Sequence, residues 1–343
     1  MSLKPQRSQT DKTPSAADVA AKAGVSRSAV SRTFTEGTSV SAETRAKVLK
    51  AAEELNYHVN HLARGLSKEE SRPVCILVST LRKPYHARLL EELTSELQNQ
   101  GRVVILINVG DAPENASKAL EQTLNYRASV TIVLSGAPPS EMVKKCVDAG
   151  QSVILVNRSD DYPGARHIRI DYETAMQQAA AMFARAGCND VAIVTRARAT
   201  TSLRQREDAL VRALSRQSIQ TEIWSGDSTT YESGLTAGKA LLSGIRPPQG
   251  VFCTTDLMAC GFIDAAKIEF GLDVPKDVCV IGFDDIPEAG WLNYNLTTFA
   301  QPYQEIAQQV LDVLSDPTRD LRPGALPAIA MWRGSVRAGK EKL

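Results

Sequence analysis

From residue 74 onward, short apolar runs alternate with amphipathic stretches, and this alternation restricts the fold more than any other feature of the chain. The runs cover 74–78, 103–107, 130–134, 153–156, 191–194, 250–253 and 278–282. Between them lie helical stretches at 88–100, 114–125, 140–149, 175–186, 204–216, 231–242 and 257–270. A run such as Val74-Cys75-Ile76-Leu77-Val78 has no polar face. Such a strand must be covered on both sides, and helices that return between parallel strands supply the cover. The pattern predicts a doubly wound, parallel α/β architecture, long enough for two lobes rather than one. Ligands of such sheets bind beyond the carboxyl ends of the strands, which predicts a site in the cleft between the lobes.

Residues 15–59 follow a different, all-helical rule. Ser15 is placed to cap a helix over 16–23, with Asp18 as its capping-box partner and Gly24 to end it. Ser26 is placed to cap a second helix, with Val25, Ala29, Val30 and Phe34 as core contacts. Ser41 opens a third, to about residue 56, with Val48, Leu49, Ala52 and Leu55 facing inward. Two short helices joined through Ala23-Gly24-Val25 follow the helix-turn-helix plan. The second helix exposes Arg27 and Ser28 in its first turn, then Ser31 and Arg32. In a major groove an arginine can grip guanine O6 and N7 with two hydrogen bonds, whereas serine and a helix N-terminus suit phosphates. The same arginines fit the solvated face of an ordinary helical hairpin, so spacing alone leaves both readings open.

Charge is unevenly spread. Residues 1–68 hold 11 Lys/Arg and 6 Asp/Glu, a net of +5, and the remainder holds 29 and 33, a net of −4. A basic small segment on a mildly acidic body is expected to meet a polyanion. The six cysteines (Cys75, Cys146, Cys188, Cys253, Cys260, Cys279) form no C-x-x-C pair, and several sit inside apolar runs. They are expected to be buried free thiols rather than disulfides or metal ligands. Residues 1–14, polar and containing proline, predict a disordered arm. With no apolar leader and no run of 18 apolar residues, the expectation is a cytoplasmic protein with no membrane partner.

The N-terminal segment resembles the DNA-binding domain of the LacI/GalR family of bacterial transcription regulators. The resemblance rests on Asp18-Val19-Ala20, Ala23-Gly24-Val25-Ser26, Val30-Ser31-Arg32, Val40-Ser41, Thr44-Arg45, Val48, Glu54-Leu55-Asn56-Tyr57 and Asn60. It implies that the base-reading positions fall on Arg27, Ser28 and Arg32, with Ser31 and Ser39 as further DNA contacts. Thr35 departs from the Asn usual at the end of the reading helix. Asn60-His61-Leu62-Ala63-Arg64-Gly65-Leu66 is similar to the family's hinge pattern, Asn-x-x-Ala-Arg-x-Leu. That similarity implies DNA contacts at Asn60, Ala63, Arg64 and Leu66, with Leu66 wedged between base pairs of the minor groove. Seven residues are too few for a stable lone helix, and Gly65 weakens it by up to about 1 kcal/mol. Residues 60–72 therefore read as a hinge helix and linker, ordered when two copies meet on DNA.

The resemblance continues over the larger region, which looks like the family's periplasmic-binding-protein-type effector domain. Pro84-Tyr85, Val156-Asn157-Arg158, Asp171, Arg206, Ser233-Gly234, Thr255-Asp256, the run from Val280 to Asp285, Leu296-Thr297-Thr298, Gln301-Pro302 and Arg333-Gly334-Ser335 carry it. It implies a two-lobed domain over 73–338, lobe 1 about 74–169 with 301–320 and lobe 2 about 170–298 with 326–338. It places Arg206 at the effector, with Tyr85, Arg158, Thr229, Asp256, Asp284 and Trp291 as further effector-site candidates. Each of the main three has a plainer alternative: Asp256 as a helix cap, Asp284 as a turn residue, Arg206 paired with Glu207 or Asp208 on the surface. Thr255 replaces a usual Asn, Ala209 a Gly and Cys188 a His. The loop after 191–194 is unusually basic, with Arg196, Arg198, Arg204 and Arg206, which suggests an anionic effector such as a sugar acid or sugar phosphate. Solvated surface charge accounts equally well for Arg196 and Arg198.

The combined expectation is a small all-α helix-turn-helix domain joined to two doubly wound parallel-sheet lobes. It would be a transcription repressor that binds a palindromic double-stranded operator as a homodimer under control of a carbohydrate-like effector, with no other cofactor and no metal. A solute-binding protein without regulatory role is the alternative, disfavoured by the DNA reader and the missing leader. Enzyme chemistry is not expected: there is no G-x-G-x-x-G loop, P-loop, G-x-S-x-G elbow or H-E-x-x-H site, and the four histidines do not cluster.

Overall fold

The computed structural model describes residues 13–35, 38–59, 72–110, 113–134, 140–158, 162–316, 321 and 324–339. They form two units that divide between Arg72 and Pro73.

In the first unit, polar side chains set the start of each helix. α1 (Ala16–Ala23) opens on a capping box in which Ser15 Oγ accepts the Asp18 N–H and the Asp18 carboxylate accepts the Ser15 N–H at 2.8 Å. Gly24 ends it in the left-handed region at φ +66°, a conformation that costs glycine no Cβ clash. Ser26 caps α2 (Arg27–Thr33) and Ser41 caps α3 (Ala42–Glu54), each through Oγ to an N–H three residues on. Val19, Ala20, Val30, Val48, Ala51 and Ala52 make the core where the three helices meet. The inward stripe of α3 is therefore 48, 51, 52 and 55. Leu49 lies one step off it and is 46% exposed, contrary to the sequence expectation. Arg45 of α3 donates to the Thr33 carbonyl at 3.0 Å, satisfying an otherwise open acceptor at the end of α2. Lys22 and Glu54 tie α1 to α3 at 2.9 Å.

In the second unit, lobe 1 holds a sheet of β1 (Val74–Val78), β2 (Val104–Asn108), β3 (Val130–Val133), β4 (Ser152–Val156) and β5 (Arg166–Ile168). The strand order is β2-β1-β3-β4-β5 and every pairing is parallel. The crossovers are α4 (Pro84–Asn99), α5 (Pro113–Asn125) and α6 (Ser140–Asp148). β1 is buried along its whole length, as an apolar run flanked on both faces must be. The two-residue β6 (Ile170–Asp171) then leads into α7 (Tyr172–Arg185), capped by the Asp171 carboxylate.

Lobe 2 repeats the plan with β7 (Asp190–Arg196), α8 (Thr201–Arg216), β8 (Gln220–Gly226), α9 (Tyr231–Leu242), β9 (Gly250–Cys253), α10 (Asp256–Asp264) and β10 (Cys279–Ile281), in strand order β10-β9-β7-β8, again parallel. β8 is an exposed edge strand, Gln-Thr-Glu-Ile-Trp-Ser-Gly, and carries no apolar run to announce it. α9 and α10 cross at glycine: a Cβ on Gly261 would meet the Tyr231 carbonyl at 2.0 Å, and one on Gly234 the Met258 carbonyl at 2.1 Å. β11 (Thr298–Ala300) precedes α11 (Tyr303–Ser315), which packs against α4 of lobe 1. β12 (Leu326–Pro327) pairs in parallel with β6, and β13 (Ile329–Met331) pairs antiparallel with β11. All six cysteines are buried free thiols.

Candidate DNA-reading helix and effector cavity

α2 turns two opposite faces to its surroundings. Val30 and Thr33 are buried, while Arg27, Ser28, Ser31 and Arg32 are all exposed. Ser28 Oγ lies 2.8 Å from Ser26 Oγ, and Arg32 Nε lies back along the helix, donating to the Ser28 carbonyl at 3.4 Å. Thr35, the residue that departs from the usual Asn, donates its hydroxyl to the Ser31 carbonyl at 2.7 Å and so finishes the helix itself. Ser39 is exposed in the loop before α3. The hinge candidates Asn60, Ala63, Arg64 and Leu66 lie outside the described residues.

In the second unit a cavity of about 550 Å³ opens between the lobes at the carboxyl ends of the strands. Tyr85, Arg158, Arg206, Thr229 and Asp284 of the expected set line it. Arg206 is only 4% exposed and is held on every side. Its Nη1 donates to the Thr254 carbonyl at 2.8 Å and stands 3.6 Å from Asp284 Oδ1. The guanidinium lies over Phe283 at 3.8 Å and Tyr172 at 5.0 Å from the ring centroids. Pairing with Glu207 or Asp208 on the surface is thereby replaced by a buried pairing with Asp284.

Asp284 turns out to be both a turn residue and a cavity wall. Its φ of +122° sharply redirects the chain after β10, and its Oδ1 accepts from Gln301 Nε2 at 2.6 Å. Burial pushes its carboxyl above the usual range, while Arg206 and Gln301 pull the other way. Asn157, at φ +58°, donates Nδ2 to the Tyr85 hydroxyl at 2.9 Å and to Gln301 Oε1 at 3.3 Å, linking lobe 1 to the same network. His86 also lines the cavity; its Nδ1 donates to the Thr80 carbonyl at 2.8 Å, and burial pushes its pKa down to about 4. It is neutral near pH 7, with Nε2 left as an acceptor.

Two expected residues are not at the cavity. Asp256 is fully buried: one carboxylate oxygen accepts the Thr298 hydroxyl at 2.6 Å and the other the Ile286 N–H at 3.0 Å. Burial, with Asp284 nearby, pushes its pKa up to about 7. It braces the 282–286 loop from behind, and the N-cap position of α10 belongs to Thr255. Trp291 is 56% exposed on an outer loop, stacked on Tyr294 at 6.4 Å between ring centroids. Sequence reading did not single out Asn157 or His86 as site residues. Asn157 stood inside the quoted Val156-Asn157-Arg158 match, and His86 beside Tyr85, so the signal was adjacent in both cases.

Among the described residues, polar atoms on the cavity wall that are buried without a hydrogen-bond partner include Arg196 Nε, Thr255 Oγ1 and Asn157 Oδ1. Most buried polar atoms in folded proteins are paired, so unpaired ones on a cavity wall are candidates to meet a ligand or water. Among the described residues no group of three or more His, Cys, Asp or Glu could hold a metal ion, and no helix is long and apolar enough to cross a membrane.

Residues 16–60 match the family of bacterial regulatory proteins, lacI family, and residues 180–336 match the periplasmic binding protein-like domain. The chain is 30% identical over 319 residues to the HTH-type transcriptional repressor PurR of Edwardsiella ictaluri, covering 90% of this chain and 91% of that protein. The chain belongs to the LacI family. It is likewise 27% identical over 328 residues to the repressor CytR of Escherichia coli K12, with 94% and 96% covered. The lac repressor dimer bound to operator and the anti-inducer ONPF superimposes with a TM-score of 0.84 at 26% identity, covering 94% of this chain and 99% of that one. As a member of this family the protein is a DNA-binding transcriptional repressor, and its relatives are repressors rather than enzymes.

Proposed function

We propose that this repressor binds a palindromic operator as a homodimer and that a small, anionic, carbohydrate-like molecule in the interlobe cavity controls its affinity for DNA. The unpartnered buried polar atoms on the cavity wall carry the effector part of the reading. Donors and acceptors at Arg196 Nε, Thr255 Oγ1 and Asn157 Oδ1 suit a ligand dense in hydroxyls, and a cavity of about 550 Å³ suits its size. The concentration of arginine on the lobe 2 wall, at Arg196, Arg198, Arg204 and Arg206, supports a negative charge on that ligand.

Operator choice is assigned to Arg27, Ser28 and Arg32 on the exposed face of α2, with Ser31 and Ser39 at phosphates. Asn60, Ala63, Arg64 and Leu66 are assigned to a hinge helix formed on DNA. The effector binds one arrangement of the lobes better than the other, which alters the spacing of two hinge segments in the dimer and so their ability to fold. Calorimetry of the full-length protein against neutral and acidic sugars tests the effector class. Binding of acidic ligands that is lost in Arg206→Ala is the expected result; tight binding of neutral sugars alone would exclude an anionic effector.

A further inference from the structure

The charge on the cavity wall exceeds what a single carboxylate needs. Lys83 and Arg158 from lobe 1 and Arg196, Arg198, Arg204 and Arg206 from lobe 2 line it, against one acidic residue, Asp284. Arg206 is already matched to Asp284, and His86 adds no charge near neutral pH. Among the described residues, Arg196, Arg198 and Arg204 have no carboxylate in salt-bridge range.

These three arginines bracket the start of one helix. Arg196 closes β7, Arg198 lies in the turn that follows, and Arg204 stands in the first turns of the 16-residue α8. The N-cap of α8 is Thr200, yet its hydroxyl takes no N–H of the first turn and lies 3.2 Å from Ser202 Oγ instead. The first turn holds no acidic residue, and Thr200, Thr201 and Ser202 all line the cavity. An uncapped helix start of this length offers N–H donors and a partial positive charge. Outside the helix, on the end of β7, the same wall carries a buried guanidinium nitrogen, Arg196 Nε, with no hydrogen-bond partner among the described residues.

Resting on the effector reading above, we propose that Arg196, Arg198 and the start of α8 form a phosphoryl subsite and that the effector is a phosphorylated sugar or polyol. A carboxylate is a monoanion with two oxygens, and one bidentate arginine satisfies it. A phosphomonoester carries roughly −1.5 to −2 charges near pH 7 and three strongly accepting oxygens. Several guanidinium groups, hydroxyls and helix N–H groups at one corner match that demand. The remaining wall, with Asp284, Asn157 and Thr255, takes the hydroxyls.

Inorganic phosphate is the direct probe, being too small to depend on a particular sugar skeleton. In the full-length protein, phosphate is expected to raise the melting temperature above that in chloride of equal ionic strength, and this rise is expected to vanish in R196A/R198A. The exposed single variant Arg198→Ala should reduce it in the same direction. Absence of the phosphate-specific rise, or its survival in the double variant, overturns the subsite. Calorimetry then compares sugar phosphates with the free sugars and sugar acids of equal carbon number. A sugar phosphate should bind tightest and lose about 100-fold or more in R196A/R198A, as expected for two lost charge-assisted hydrogen bonds. A sugar acid that binds as tightly as the phosphate overturns the phosphoryl assignment and leaves the anionic-effector reading standing. A neutral sugar that binds tightly and is lost in Asp284→Asn overturns both while keeping the cavity as the binding site.

Discussion

At the residue scale, Asp256 and His86 have opposite effects on stability as pH changes. Asp256, pushed up to about 7, binds its proton more tightly folded than unfolded, so its contribution is complete below about pH 4 and is lost as pH rises through 7. His86, pushed down to about 4, binds its proton less tightly when folded, so its contribution is present above about 6.5 and is lost as pH falls toward 4. The two slopes oppose each other across the mildly acid range. Asp256→Asn should therefore make the melting temperature fall more steeply on acidification from pH 7 to 4; superimposable profiles for variant and parent would refute the assignment. The exposed face of α2 gives a second expectation. Arg27→Ala should relax base preference at one position of each operator half-site, by about 1–3 kcal/mol of discrimination, in a selection from random DNA. An unchanged selected motif would remove Arg27 from the base-reading set.

At the element scale, the α9–α10 crossing leaves no room for a side chain. With the Tyr231 carbonyl 2.0 Å from where a Cβ would sit, Gly261→Ala must force the helices apart and should cost roughly 1–3 kcal/mol in thermal or chemical unfolding. A melting curve unchanged from the parent would contradict so close an approach. Local rules made much of this scale readable in advance. Ser15, Gly24, Ser26 and Ser41 start or stop helices through partners within a few residues, and apolar runs mark strands covered on both faces. What was not readable depends on partners far along the chain. Leu49 sits on a plausible apolar stripe, and only the packing of α1 against α3 fixes the phase that exposes it. β8 has no apolar run because it is an edge strand, where side chains meet water. Asp256 lies at the start of α10 and invites a capping role, but its actual partners, Ile286 and Thr298, are 30 and 42 residues away. Arg206 could be expected at the effector from its resemblance, whereas its burial between Tyr172 and Phe283 could not.

At the scale of the whole molecule, the proposed control rests on how the lobes are joined. Arg88 of α4 donates to the Asp285 carbonyl at 2.7 Å and lies 3.7 Å from its carboxylate, which also accepts from Arg333 at 2.6 Å. This clasp spans the two lobes beside the cavity. Arg88→Ala should leave specific operator binding measurable without ligand but weaken the change in affinity that ligand causes, as read by fluorescence anisotropy over a ligand titration. An unaltered response would show that the clasp carries no coupling. Leu66→Ala should weaken operator binding more than nonspecific DNA binding, as the loss of a minor-groove wedge would; equal loss on both would argue against that role.

Asp284 and Asp285 are consecutive residues with different duties. One carboxylate faces the cavity and the other holds the arginine of the opposite lobe. A trans peptide keeps their Cα atoms about 3.8 Å apart and cannot stretch. In the proposed control, the residue that would meet a ligand and the residue that fastens the lobes are thus one peptide bond apart, and no long relay between them is required.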